Sequence, residues 1–172
     1  SVGAITDDDL LAREEITDVV RALARGTDRL DRDLKATSYH RDGTDDHNVF
    51  QGTGTEFAQW VVDTLPHFQT TMHFIGPPRI RNEGDRAEVD TYCVAHHVSR
   101  PDDAGLQTDM VLGLRYVDRF ERRDGRWRIA ARVCAFDWSY TVEFDPARGF
   151  GFEAGWTLGA RDETDITYSF DF

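Results

Sequence analysis

Cysteine is scarce in this chain: Cys93 and Cys134 are the only two. A disulfide framework is therefore excluded, and the absence of any Cys-x-x-Cys or Cys/His metal spacing argues against a structural zinc site. Long hydrophobic runs are missing too, since no uninterrupted apolar stretch approaches the roughly 20 residues of a membrane-spanning helix. Positive charge is in short supply: 20 Lys and Arg against 32 Asp and Glu leave a formal net charge of −12. An acidic balance of that size argues against nucleic acid or an anionic membrane surface as a partner, because both reward basic patches. The opening residues SVGAITDDDLLAREE lack the basic-then-apolar pattern of a secretory signal, so the expected location is the cytoplasm. No local catalytic signature is present either: there is no GxSxG, P-loop, HExxH or GxGxxG.

What is present suits one domain. The 172 residues are 40% hydrophobic and 12% aromatic, enough for a single core. Thr6 and the acidic run Asp7 to Asp9 start a helix whose apolar positions Leu10, Leu11, Ile16, Val19, Val20 and Leu23 recur near the helical period, with Gly26 as its C-cap. Residues 28–40 read as a short amphipathic piece on the surface, 41–48 as turn chemistry, and 55–67 as a third helix closed by Pro66. The period then changes. Residues 70–82 (broken by Pro77-Pro78), 86–99, 108–123 and 126–140 are rich in β-branched and aromatic residues, with hairpin signals at Gly84-Asp85 and Asp124-Gly125. Helices followed by a meander of long strands predict an α+β fold: about three N-terminal helices packed on a curved, mainly antiparallel sheet, shaped as a cone. Residues 1–140 form its body, and 141–172 a glycine- and aromatic-rich tail that docks on the body or on a neighbouring subunit.

Chemistry would have to come from ionisable residues at positions that ought to be buried. His73, flanked by Met72 and Phe74, is either a hydrogen-bonded core histidine or a general base, because imidazole titrates nearest to neutral pH. Asp28, just past the first helix, is either an N-cap for the next or the carboxylate that orients a histidine ring. Arg132 shares a strand face with Cys134, Phe136 and Trp138, opposite Ile129 and Ala131; it either snorkels at the surface or holds an anionic leaving group inside the cone. His47, Tyr39, Tyr116 and His97 are further candidates for binding substrate. Adjacent His96 and His97 must point to opposite faces of a regular strand, so only one can line a pocket. His40 and His67 are expected at helix ends, and no spacing suggests a metal site.

The segments GTDRLD, DDHNVFQG, TMHFIG and YVDRFERRDGRWRIAARV together carry a resemblance. Over about residues 8–140 the chain resembles the SnoaL-like branch of the nuclear-transport-factor-like superfamily, the cone fold of scytalone dehydratase, bile acid 7α-dehydratase and hexachlorocyclohexane dehydrochlorinase. The resemblance implies that Asp28 and His73 are a catalytic dyad and that Arg132 stands at a pocket arginine. Thr27 stands where scytalone dehydratase has a tyrosine. It further implies a cofactor-independent lyase of the dehydratase kind, acting on a small apolar cyclic molecule such as a polyketide, steroid-like or terpenoid ring. Isomerisation or cyclisation by the same base, and a non-catalytic accessory role like that of dioxygenase β subunits, are the alternatives. A homo-oligomer is expected, a trimer ahead of a dimer.

Overall fold

The computed structural model describes residues 5–170. Residues 1–4 of the expected 1–140 body and 171–172 of the expected tail lie outside the described residues. Helix α1 (Asp7–Asp28) opens on a capping box, in which Thr6 and Asp9 each accept from the other's backbone N–H. Ala12, Ile16, Val20 and Leu23 form its buried stripe and pack with Tyr39, Val89, Phe120, Trp127 and Ile129. Burying each of the larger side chains contributes roughly 1.5–3 kcal/mol. The helix does not stop at Gly26. It continues to Asp28, with Arg29 as cap, because Gly26 serves close packing instead: a Cβ there would lie 2.6 Å from Lys35 Cγ.

The surface piece expected over 28–40 contains a short helix, α2 (Arg32–Thr37), with Lys35 as its one buried residue, capped by Asp31 rather than Asp28. The turn chemistry of 41–48 forms most of a strand, β1 (Tyr39–Asp46), paired antiparallel with β2 (Gln51–Thr53). Asp42-Gly43 makes an irregularity within β1 rather than a reversal. Gly43 lets the chain close on its neighbour, since a Cβ there would sit 2.5 Å from the Ile129 carbonyl oxygen. His40 accordingly lies on β1, bonded through Nε2 to the Glu121 carbonyl, and not at a helix end. Helix α3 (Gly54–Thr64) has its own capping box from Thr53 and Glu56, and a 3₁₀ turn at Leu65–His67 follows.

Five strands complete the sheet: β3 (Phe68–Ile75), β4 (Arg79–Glu83), β5 (Arg86–Ser99), β6 (Gln107–Arg123) and β7 (Arg126–Phe144). Their order is β2-β1-β7-β6-β5-β3, with β4 also paired to β5, and β1–β7 is the one parallel pair among them. Asp124 and Gly125 both take positive φ, as the tight β6–β7 hairpin requires. The result is an α+β fold in which three helices pack against a large, curved, open sheet.

One register slip matters for the site. The β6–β7 pairing shifts between Arg119 and Phe120, opposite Ala130, so Ile129 and Arg132 are both buried instead of facing opposite ways. Strand β7 also outruns the expected 140. Its outer half, with Phe136, Trp138, Tyr140 and Val142, is exposed. Beyond it, Arg29 pairs with Asp165 at 2.9 Å, and Arg25 donates to Thr167. No helix among the described residues is long and apolar enough to cross a membrane.

Candidate active site

The end of α1 and the middle of β3 meet at a carboxylate and an imidazole. His73 Nδ1 donates to Asp28 Oδ1 at 2.7 Å, and the His73 backbone N–H donates to Oδ2 at 2.9 Å. The Thr71 hydroxyl donates to Oδ1 as well, at 2.9 Å. Burial alone would raise the Asp28 pKa, but these hydrogen bonds outweigh it and hold the carboxyl below its ordinary value. With its Nδ1 proton committed to Asp28, the ring carries its lone pair on Nε2. Behind the pair, His97 packs edge-on at 5.5 Å between ring centroids. Burial first, and then the charge of His73, lower the His97 pKa to about 4.

The C-terminal segment buttresses this corner. Arg161 donates to the carbonyls of Asp28, Leu65 and Phe68 and to the Thr71 hydroxyl, at 3.0–3.4 Å. One arginine thus ties together the end of α1, the turn after α3 and the start of β3.

His73 lines a cavity of about 70 Å³. Val20, Leu23, Ala24 and Thr27 of α1 form one apolar side, and Phe57, Trp60, Val61 and Leu65 another. The remainder is polar: Lys35, His47, Tyr116 and Arg132. Arg132 makes a bidentate pair with Asp118, both bonds 2.7 Å, and stacks over the Tyr116 ring at 4.1 Å. Burial opposes its charge, yet Asp118 raises the guanidinium pKa well above the ordinary value. The alternative of a surface-snorkelling arginine is overturned, because only 4% of Arg132 is exposed.

A second carboxylate–imidazole pair stands in the same wall. Asp45 accepts from His47 Nδ1 and from the Tyr39 hydroxyl, and His47 stacks on Phe57 at 4.2 Å between centroids. The Tyr39 ring lies flat on the first residue of α3, where a Cβ on Gly54 would come within 2.1 Å of it. Burial pushes the His47 pKa down despite Asp45.

The candidates thus sort by place. His73, His47, Tyr116 and Arg132 line the cavity, and Asp28 sits behind His73. Tyr39 and His97 do not line it; they back Asp45 and His73 respectively. His96 is turned the other way and bonds Asp109 at 2.6 Å. Sequence reasoning missed Asp45, Asp118 and above all Lys35, which is only 2% exposed. A signal for it existed: of the 20 lysines and arginines, Lys35 is the only lysine. Among the described residues no group of three or more His, Cys, Asp or Glu side chains is arranged to hold a metal ion.

Comparison with known proteins adds a family. The model of the SnoaL-like domain matches residues 8–133. The chain belongs to the SnoaL-like domain family. No curated protein matches it by sequence. Solved structures share the fold at low identity. A hexachlorocyclohexane dehydrochlorinase from Novosphingobium barchaimii is 17% identical, covering 85% of this chain and 97% of its own, with a TM-score of 0.68. A candidate scytalone dehydratase from Novosphingobium aromaticivorans is 19% identical, covering 79% and 91%, with a TM-score of 0.68. A protein from Kribbella flavida is 16% identical, covering 76% and 94%, with a TM-score of 0.67. At these identities the likeness shows the cone fold of a SnoaL-like domain, on which many chemistries are built.

Proposed function

We propose that this SnoaL-like domain is a lyase that eliminates water or halide from a small, mostly apolar cyclic substrate. The observation that carries the reading is the Asp28–His73 hydrogen bond at the wall of a cavity with apolar sides and a few polar groups. His73 Nε2 takes a proton from the carbon next to the leaving group, and Asp28 fixes the ring and stabilises the imidazolium. Arg132 and His47 face the same space and receive the departing hydroxyl or halide. A cavity of about 70 Å³ is well below the roughly 300–1,000 Å³ of drug-sized pockets, so it favours a single compact ring over a steroid-sized one.

The test is a panel of cyclic carbonyl compounds bearing a β-hydroxyl or β-halide, followed in heavy water by mass analysis. His73→Ala should lower the elimination rate at least about 100-fold with the circular dichroism unchanged. An unaltered rate would end the proposal. Deuterium exchange without loss of water or halide would move the reading to an isomerase or cyclase using the same base.

The tightness of the cavity favours a second reading, a non-catalytic accessory subunit in which the two side chains are a buried structural pair. Failure of every panel member to shift the melting temperature would support it. Either reading includes a homo-oligomer, with a trimer ahead of a dimer, supported by the exposed aromatics of β7. Light scattering at the 19.6 kDa of one chain would refute association.

A further inference from the structure

Lys35 sits where a lysine is hard to explain as structure. An ammonium has three donors, and Lys35 spends one, on the Thr27 hydroxyl at 2.6 Å. It makes no ion pair among the described residues, whereas every other charged side chain in the cavity wall or directly behind it has a hydrogen-bonded ionisable partner: Arg132 with Asp118, His47 with Asp45, His73 with Asp28. Nζ also lies 5.0 Å from the centre of the Phe57 ring, and the stem packs closely against Gly26. The chain meets every other need for a cation with arginine, on all its surfaces, and uses lysine at this one cavity position alone.

Arginine and lysine differ in one chemical respect that matters in such a place. Guanidinium stays protonated, whereas an amine stripped of water can lose its proton and become a nucleophile. We propose that Lys35 is a carbonyl-capturing amine that forms an imine with an aldehyde or ketone bound in the cavity. The nitrogen lone pair attacks the carbonyl carbon, and the C=O π electrons pass to oxygen, which takes up a proton. The nitrogen, now an ammonium, passes one of its two protons to that hydroxyl, which leaves as water, and the remaining nitrogen lone pair closes the C=N bond of a protonated imine; addition of water reverses the sequence and returns amine, carbonyl and the proton taken up. Burial, the largest influence, lowers the amine pKa to about 7, with Asp45 and Asp28 opposing the fall and Arg132 adding to it. Asp28 belongs to α1, Asp45 to β1 with His47 just beyond its end, His73 to β3 and Arg132 to β7, so charged or titratable groups surround the amine from each of these packed elements.

The use of the imine in catalysis rests on the lyase reading: a cationic imine acidifies the adjacent C–H that His73 would remove, and narrows the substrate class to carbonyl compounds. The capture itself does not depend on His73.

The experiment is reductive trapping with propanal and sodium cyanoborohydride, the reagent supplying the hydride that turns imine into secondary amine, read by peptide mass mapping. Arg21→Lys adds an exposed reference amine that is not part of the cavity lining. At pH 7 an ordinary lysine is free base to about 1 part in 1,000 or less, so Lys35 should be alkylated at least about 10-fold faster than the introduced amine. The advantage should shrink as the pH is raised toward 10. His73→Ala should still be trapped at Lys35, and Lys35→Met should lose the modified peptide while the folded protein remains. Modification of the reference amine and the chain terminus with Lys35 untouched, or equal rates at both lysines, overturns the proposal. Trapping at Lys35 together with an elimination rate indifferent to His73→Ala would keep the imine and discard the lyase reading.

Discussion

Replacing Lys35 by methionine should make the protein more stable, and by an amount that depends on pH. The two side chains have similar volume, and the Thr27 hydroxyl keeps its bond to the Leu23 carbonyl. In the unfolded chain the amine titrates near its ordinary 10.5, and in the fold at about 7. Between those values the unfolded state holds a proton that the folded state does not, so wild-type stability rises with pH across that window. Below pH 7 both states are charged, and the fold bears the full penalty of an ammonium out of water, roughly 5 kcal/mol for a displacement of this size. Loss of one hydrogen bond returns about 1 kcal/mol of that. Urea unfolding of Lys35→Met against wild type should therefore show a gain of about 2–4 kcal/mol at pH 6, declining to near zero by pH 10. A gain that is the same at both ends, or a loss at pH 6, would refute the placement of an unpaired ammonium in the wall.

Other perturbations separate the remaining parts of the site. Asp118→Ala leaves Arg132 buried without its partner and should cost about 3–5 kcal/mol in denaturant unfolding, whereas a cost under about 1 kcal/mol would mean that water reaches the guanidinium. His97 is neutral in the fold down to about pH 4 but takes a proton near 6.5 when unfolded, so acidification from 6.5 to 4 should drain up to about 3 kcal/mol. His97→Phe should flatten that part of the stability–pH curve, and an unchanged slope would assign the loss to other groups. Arg161→Met removes the donors to three backbone carbonyls and should cost about 2 kcal/mol, with faster amide exchange at Thr71 and His73 than at Phe120 as the sign that the loosening is local.

The legible parts of the fold were those with a period. The α1 stripe at Ala12, Ile16, Val20 and Leu23 and the long strands on either side of Asp124-Gly125 announce themselves because one face is apolar throughout. β1 has no such pattern. Its Asp42-Gly43 reads as a reversal, and only the approach of the Ile129 carbonyl shows why glycine is needed inside a strand. Asp28 and His73 each stand out as ionisable residues at positions that ought to be buried, but their pairing came from resemblance, since nothing local joins residues 45 positions apart. Asp45 and Asp118 stayed hidden for a related reason: each lies among charged neighbours whose average character is solvated, and its burial goes with a partner that the pattern does not reveal, Arg132 on the next strand for Asp118, and Tyr39 and His47 beside Asp45. Lys35 was hidden by the same averaging over 28–40, although its rarity in composition marked it.

Gly54 connects a helix start to a proton. Because the Tyr39 ring occupies the space where a side chain at 54 would begin, any larger residue there must push the phenol, and the phenol holds one oxygen of the carboxylate whose other oxygen holds His47. A single methyl group added at 54, which is not part of the lining, would press on the phenol and through it on the carboxylate that holds the imidazole. Variation at that helix terminus is thereby yoked to the acid–base setting of the far wall.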